Sequence, residues 1–135
     1  MFNRLAVIGP GLIGSSIMRG ARALGLVNTV VATARSAQTR ARVKELGIAD
    51  LVTETNAEAV KDADLVFVCV PVGASGAVAE EIGPHLKAGA IVSDAGSVKC
   101  AVIRDMAPHL PKNVHFIPGH PVAGTEYSGP DAGFA

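Results

Sequence analysis

Apolar positions in this chain fall into short continuous runs, separated by longer stretches with helical spacing. LAVIG (Leu5–Gly9) is an apolar run ended by glycine, and Leu12 to Leu24 then predicts a helix. TVVATA (Thr29–Ala34) is β-branched and strand-like. A helix follows to Leu46, with Ser36 as its N-cap and Gly47 just past its end. A weak strand around Leu51–Val52 precedes a short helix starting near Asn56. DLVFVCV (Asp64–Val70) is the strongest strand signal: after Asp64 every position is apolar, as expected where both faces are covered, and Pro71 stops it. The pattern continues with a helix over about Ala74–Leu86, the strand AIVSD (Ala90–Asp94), a helix over Val98–Leu110 and a sixth strand, VHFI (Val114–Ile117).

Strands alternating with helices predict parallel pairing through right-handed crossovers. The expected fold is therefore α/β: a Rossmann-type, doubly wound, mainly parallel six-stranded sheet with helices on both faces. Ligands on such sheets bind beyond the carboxyl ends of the strands, near the point where strand order reverses. Every unusual loop of the sequence falls in that place. GPGLIG follows the first strand, ARS the second, VPVG the fourth, AGSVK the fifth and GHPVAGTE the sixth.

At 135 residues and 49% apolar, the chain is expected to form one well-cored domain, burying roughly 68% of its unfolded surface. No apolar run approaches the roughly 20 residues needed to span a bilayer, so no membrane partner is expected. MFNRLAVIG enters a strand pattern at once, so no signal peptide is expected. Cys69 and Cys100 lack the close spacing of a metal site and are too few for a disulfide framework. Cys69 sits in an apolar run and is most simply a small buried hydrophobe, so a reducing cytoplasm is the expected compartment. No nucleic-acid partner is expected either, because aromatics are 4% of the chain and no basic stripe interleaves with them.

The net charge of zero hides an asymmetry. Through Lys44 the chain carries seven basic residues and no Asp or Glu, while all 12 acids come later. A local positive field suits an anionic ligand, although solvated helix faces account for most of these side chains.

Gly9, Gly11 and Gly14 spell G-x-G-x-x-G between the first strand and its helix. Gly9 permits the tight turn, Gly11 lets a pyrophosphate approach the backbone, and Gly14 lets the helix pack close to the strand. Leu12 and Ile13 between them, and Val70 with Pro71 after the fourth strand, complete the expected wall of a dinucleotide site. An NAD site usually carries an acid at the end of strand two, here about Ala34, and the nearest carboxylate in the sequence is Glu45. Arg35 and Ser36 stand there instead, with Thr39 and Arg40 one turn on. A guanidinium beside a helix N-terminus suits a 2′-phosphate, which favours NADP, although lacking the acid does not forbid NAD.

His120 follows the sixth strand, at the rim where a nicotinamide would lie. An imidazole titrates near neutral pH and can accept a proton from a hydroxyl as hydride leaves the same carbon. Pro121 restricts His120 to an extended conformation. His85 and His109, near helix ends, are expected to be solvent-facing.

Four blocks now stand in order along the chain: GPGLIGSS (Gly9–Ser16), DADLVFVCVPV (Asp62–Val72), SDAGSVK (Ser93–Lys99) and GHPVAGTEYSGP (Gly119–Pro130). The series resembles that of the prephenate/arogenate (cyclohexadienyl) dehydrogenases of tyrosine biosynthesis. The first two blocks are shared by many Rossmann dehydrogenases, while GSVK and GHPxAGTExSG are much narrower. The resemblance implies an oxidative decarboxylation: hydride passes from the hydroxyl-bearing ring carbon to NAD(P)+, CO2 leaves and the ring becomes aromatic. It puts the base or hydrogen-bond acceptor on His120 and a hydroxyl contact on Ser97, which could equally be just a helix N-cap. Thr125 and Glu126 match pocket-lining positions for the small-molecule substrate. The family continues into a helical domain that forms a homodimer and grips the substrate carboxylates. This chain stops at GPDAGFA, so residues 1–135 are expected to be the dinucleotide-binding domain of a longer protein.

Overall fold

A computed structural model describes every residue except Thr125. Six strands form one sheet: β1 (Phe2–Ile8), β2 (Val27–Thr33), β3 (Leu51–Thr53), β4 (Leu65–Val68), β5 (Ile91–Asp94) and β6 (His115–Ile117). Their order is β3-β2-β1-β4-β5-β6 and every pairing is parallel. Five helices connect them: α1 (Leu12–Ala23), α2 (Ala37–Leu46), α3 (Asn56–Val60), α4 (Ser75–Ile82) and α5 (Lys99–Met106). The expected doubly wound sheet is what the chain forms.

Alternation along β1 shows how one strand serves two layers. Leu5 and Val7 join Met18, Val30 and Val43 in the core under α1 and α2. Ala6 and Ile8 join Val66, Val78, Ile82, Val92 and Met106 in the core under α3, α4 and α5. Each fully buried aliphatic side chain is worth roughly 1.5–3 kcal/mol relative to exposure, so the two cores together fix the sheet. Among the described residues, no helix is long and apolar enough to cross a membrane.

The boundaries depart from the pattern for identifiable reasons. β1 and β2 begin earlier than their apolar runs, because Phe2 already pairs with Val27. The polar Asn3 is held there by its neighbours: its N–H and that of Arg4 donate to the Asp64 carboxylate at 2.7 and 2.8 Å, and its side chain accepts from Asn28. Lys87 donates to the same carboxylate. The long helices expected over 74–86 and 98–110 are shorter. Each gives way to a single 3-10 turn, Gly83–His85 and Ala107–His109, with Pro84 and Pro108 near its start. Proline has no N–H to continue the α-helical ladder. Caps were better signals. Ser36 accepts from the Thr39 N–H, and Gly47 closes α2 in the left-handed conformation at φ +63°.

Candidate functional site

The strand order reverses between β1 and β4, so the loops after these strands face each other across a gap. Gly9 lies at φ +85°, and a Cβ there would come within 2.6 Å of the Cys69 carbonyl oxygen. A Cβ on Gly14 would stand 2.5 Å from the Gly9 carbonyl oxygen, so α1 starts hard against the turn. Gly11 differs: a Cβ there meets nothing within 4 Å. As the N-cap of α1 it offers no side chain, and the first turn carries no acid. The first-turn amides and the positive end of the helix dipole are left for an external anion. A diphosphate fits this cradle.

A cleft of about 960 Å³ opens beside it. Gly9 and Gly11 line it from the first loop, Arg35 and Ser36 from the second, Val70 and Pro71 from the fourth. Ser36 spends its hydroxyl on α2, accepting from the Thr39 N–H at 3.1 Å and donating to Thr39 Oγ1 at 2.8 Å. Arg40 is likewise committed, donating to the carbonyls of Ala34 and Arg35 at 2.8 and 3.1 Å. Arg35 is exposed at the rim.

Distance along the chain and distance in space differ here. Glu45, the nearest carboxylate along the chain, pairs with Arg42 at 2.9 Å and does not line the cleft, whereas Glu54 does. The parallel register sets Thr33 opposite Thr53, which brings the residue after β3 beside the residue after β2. The early basic excess also meets its complement. Arg22 pairs with Asp50 at 3.1 Å, and Arg42 grips both oxygens of Asp131 at 3.0 Å, holding that carboxyl below its ordinary range. The Arg19 guanidinium donates to the Pro130 carbonyl, so the segment Pro130–Ala132 lies back on α1 and α2. The Cys69 thiol is pushed up to about 12, by burial first and by the nearby Asp94 carboxylate second. Its side chain is half-buried rather than fully buried, packing against the core under α1 and α2 while also lining the cleft.

The histidine loop arrives at the same rim. Leu12 and Ile13 line a second hollow of about 280 Å³ with Pro121, Ala123, Gly124 and Phe134. His120 immediately precedes this wall and is exposed, as are Ser97 and Glu126. Neither His120 nor Ser97 lines the two hollows, and Thr125 lies outside the described residues. The N-cap of α5 is Val98, with no side-chain capping bond, so Ser97 is not the cap it could have been.

Two residues escaped attention in the sequence. Asp94, 2% exposed at the end of β5, pairs with Lys99, and both hold Gly119. The signal was an acid ending an apolar strand with a lysine five residues on.

The geometry can now be set against known proteins. A sequence profile described as the nucleotide-binding domain of prephenate dehydrogenase matches residues 17–135. The chain belongs to that family. The matched span holds the GSVK and GHPVAGTE blocks and starts after the glycine fingerprint. The cyclohexadienyl dehydrogenase of Zymomonas mobilis is 46% identical over 135 residues, covering 100% of this chain and 46% of that protein. The crystal structure of prephenate dehydrogenase from A. aeolicus in complex with hydroxyphenyl propionate and NAD+ superposes with a TM-score of 0.88 at 27% identity, over 99% of this chain and 46% of that one. Synechocystis arogenate dehydrogenase gives 0.86 at 30% identity, over 97% of this chain and 45% of that one. The chain thus spans just under half the length of each of these three relatives. Both the resemblance seen in the motif blocks and the Rossmann-type fold are borne out.

Proposed function

We propose that the chain is the dinucleotide-binding part of a cytoplasmic enzyme of tyrosine biosynthesis. The enzyme carries out NAD(P)-dependent oxidative decarboxylation of prephenate, L-arogenate or both. The observation that carries this reading is the hollow shared by Leu12 and Ile13, behind the phosphate cradle, and Pro121, next to His120. Membership of the family and the NAD+ complex of the A. aeolicus relative support it. The nicotinamide, when bound, supplies the hydride acceptor. The His120 imidazole takes the hydrogen bond or proton of the ring hydroxyl as the carbon–hydrogen bond beneath it breaks and the carboxylate leaves as CO2. Ser97 contacts the same hydroxyl and orients the imidazole, while Thr125 and Glu126 line the substrate side. A helical domain outside these 135 residues, which the family resemblance implies, holds the substrate carboxylates and forms the homodimer.

For the cofactor, the reading is NADP. Arg35 supports it, standing free at the cleft rim beside the capped start of α2, where a 2′-phosphate dianion gains a guanidinium. Glu54 on the same cleft works against it. Titration of both cofactors against Arg35→Ala decides: NADP affinity should fall about tenfold with NAD within twofold, a difference of about 1.4 kcal/mol. Equal losses would refute NADP.

The activity itself is tested by mixing protein, prephenate or arogenate and cofactor, and following reduced-nicotinamide absorbance. His120→Asn should lower kcat by about 100-fold or more, as loss of a general base does, with cofactor affinity unchanged. An undiminished rate would remove His120 as the base.

A further inference from the structure

Among the described residues His120 makes no hydrogen bond or ion pair before substrate arrives, but the residue before it is held on both sides. Asp94 Oδ1 accepts from the Gly119 N–H at 3.2 Å. Asp94 Oδ2 accepts from the Gly96 N–H at 2.8 Å and from Lys99 Nζ. The same Lys99 ammonium donates to the Gly119 carbonyl at 2.5 Å. One ion pair therefore takes up both backbone polar groups of Gly119, and joins the end of β5, the start of α5 and the loop after β6. On the other flank, Pro121 confines His120 to extended backbone.

The energetics make a purely stabilising role a poor explanation. The Asp94 side chain is 2% exposed and that of Lys99 28%. Removing such charges from water costs several kcal/mol per ion, and apolar replacements of similar volume are often neutral or better. What a hydrogen-bonded charge pair supplies, and an apolar pair does not, is direction. Its donors and acceptors fix where a backbone goes.

We propose that Asp94, acting through Lys99 and Gly119, is a positioning residue that sets the direction in which His120 leaves the sheet. Neither side chain needs to touch substrate for this. The assignment rests on His120 being the base, and deepens that reading.

The test uses side-chain NMR of the 135-residue chain, with His85, His109 and His115 as internal references. In Asp94→Asn and, separately, Lys99→Met, the His120 imidazole signals should shift and their side-chain order should drop. The three reference histidines should stay unchanged and cofactor affinity within twofold. Where turnover is measurable, kcat should fall at least tenfold with KM within twofold. The double variant should lose no more than either single, because both break one pair. Lys99→Met keeps the length and apolar stem of lysine, so it decides the matter should Asp94→Asn fail to fold. Unchanged His120 signals in a folded variant would overturn the proposal, and so would additive losses in the double variant. If His120→Asn leaves turnover intact while the NMR changes appear, the base assignment fails and the positioning role stands.

Discussion

Two aspartates at opposite ends of the sheet make nearly the same bonds. Asp64, just before β4, accepts from the N–H groups of Asn3 and Arg4 and pairs with Lys87. Asp94, at the end of β5, accepts from the N–H groups of Gly96 and Gly119 and pairs with Lys99. Each is a carboxylate that ties two backbone amides and one lysine across distant segments. They differ in burial, 23% against 2% side-chain exposure, and in address. Asp64 fastens the amino-terminal edge, away from the cleft, whereas Asp94 fastens the carboxyl rim beneath the histidine loop. The chemistry of a residue therefore does not say whether it serves the fold or a site. Its place on the sheet does.

The sharpest way to break this comparison is to delete each carboxylate. Asp94→Ala strands the Lys99 charge in a largely buried setting and should cost about 3 kcal/mol in urea denaturation. Asp64→Ala, with water at hand to replace its bonds, should cost on the order of 1 kcal/mol. Equal losses would show that burial does not separate the two.

A second variant isolates the rim from the fold. Gly11→Leu places a side chain where a Cβ meets nothing, at a backbone of φ −78° that any residue adopts. Stability should fall by about 1 kcal/mol or less, because leucine is a poorer N-cap than glycine. Dinucleotide affinity should fall at least tenfold, read by calorimetric titration, because the new side chain occupies the approach to the cradle. Unchanged affinity would move the phosphate site elsewhere.

The smallest effect is the pH dependence of Asp64. The hydrogen bond from Lys87, and after it that from the Arg4 N–H, holds its carboxyl below the ordinary value of 3.8. A depressed folded-state pKa stabilises the fold above the unfolded-state value and loses that contribution as pH falls through the folded one. The advantage of the wild type over Asp64→Asn, on the order of 1 kcal/mol, should hold from neutral pH down to about 4 and fade below it. An advantage that persists well below that range would assign it to packing rather than charge.

What could be seen in the sequence follows the same division. Gly9 and Gly14 were legible because backbone crowding leaves no other residue at those positions, and Ser36 and Gly47 because each cap is a local matter. Pro84 and Pro108 were equally local signals, overlooked where apolar spacing ran past them. Glu54 and the partnership of Asp94 with Gly119 were hidden for a different reason. Both depend on parallel strands bringing together residues some 20–25 positions apart, the first through the register of Thr33 with Thr53 and the second across β5 and β6. Periodicity gives the strands but not the facing residues at their ends.

The two outermost strands, β3 and β6, have three residues each. So brief a free margin gives a neighbouring molecule almost nothing to zip onto, since intermolecular β-pairing needs a run of unpaired amides and carbonyls. The long strands β1 and β2, the best templates for such growth, lie inside the sheet, with β4 covering β1 from Leu5 onward and β3 covering β2 from Val31 onward. The order that opens a ligand crevice at the centre of this sheet thus also keeps its longest strands off the outer margins.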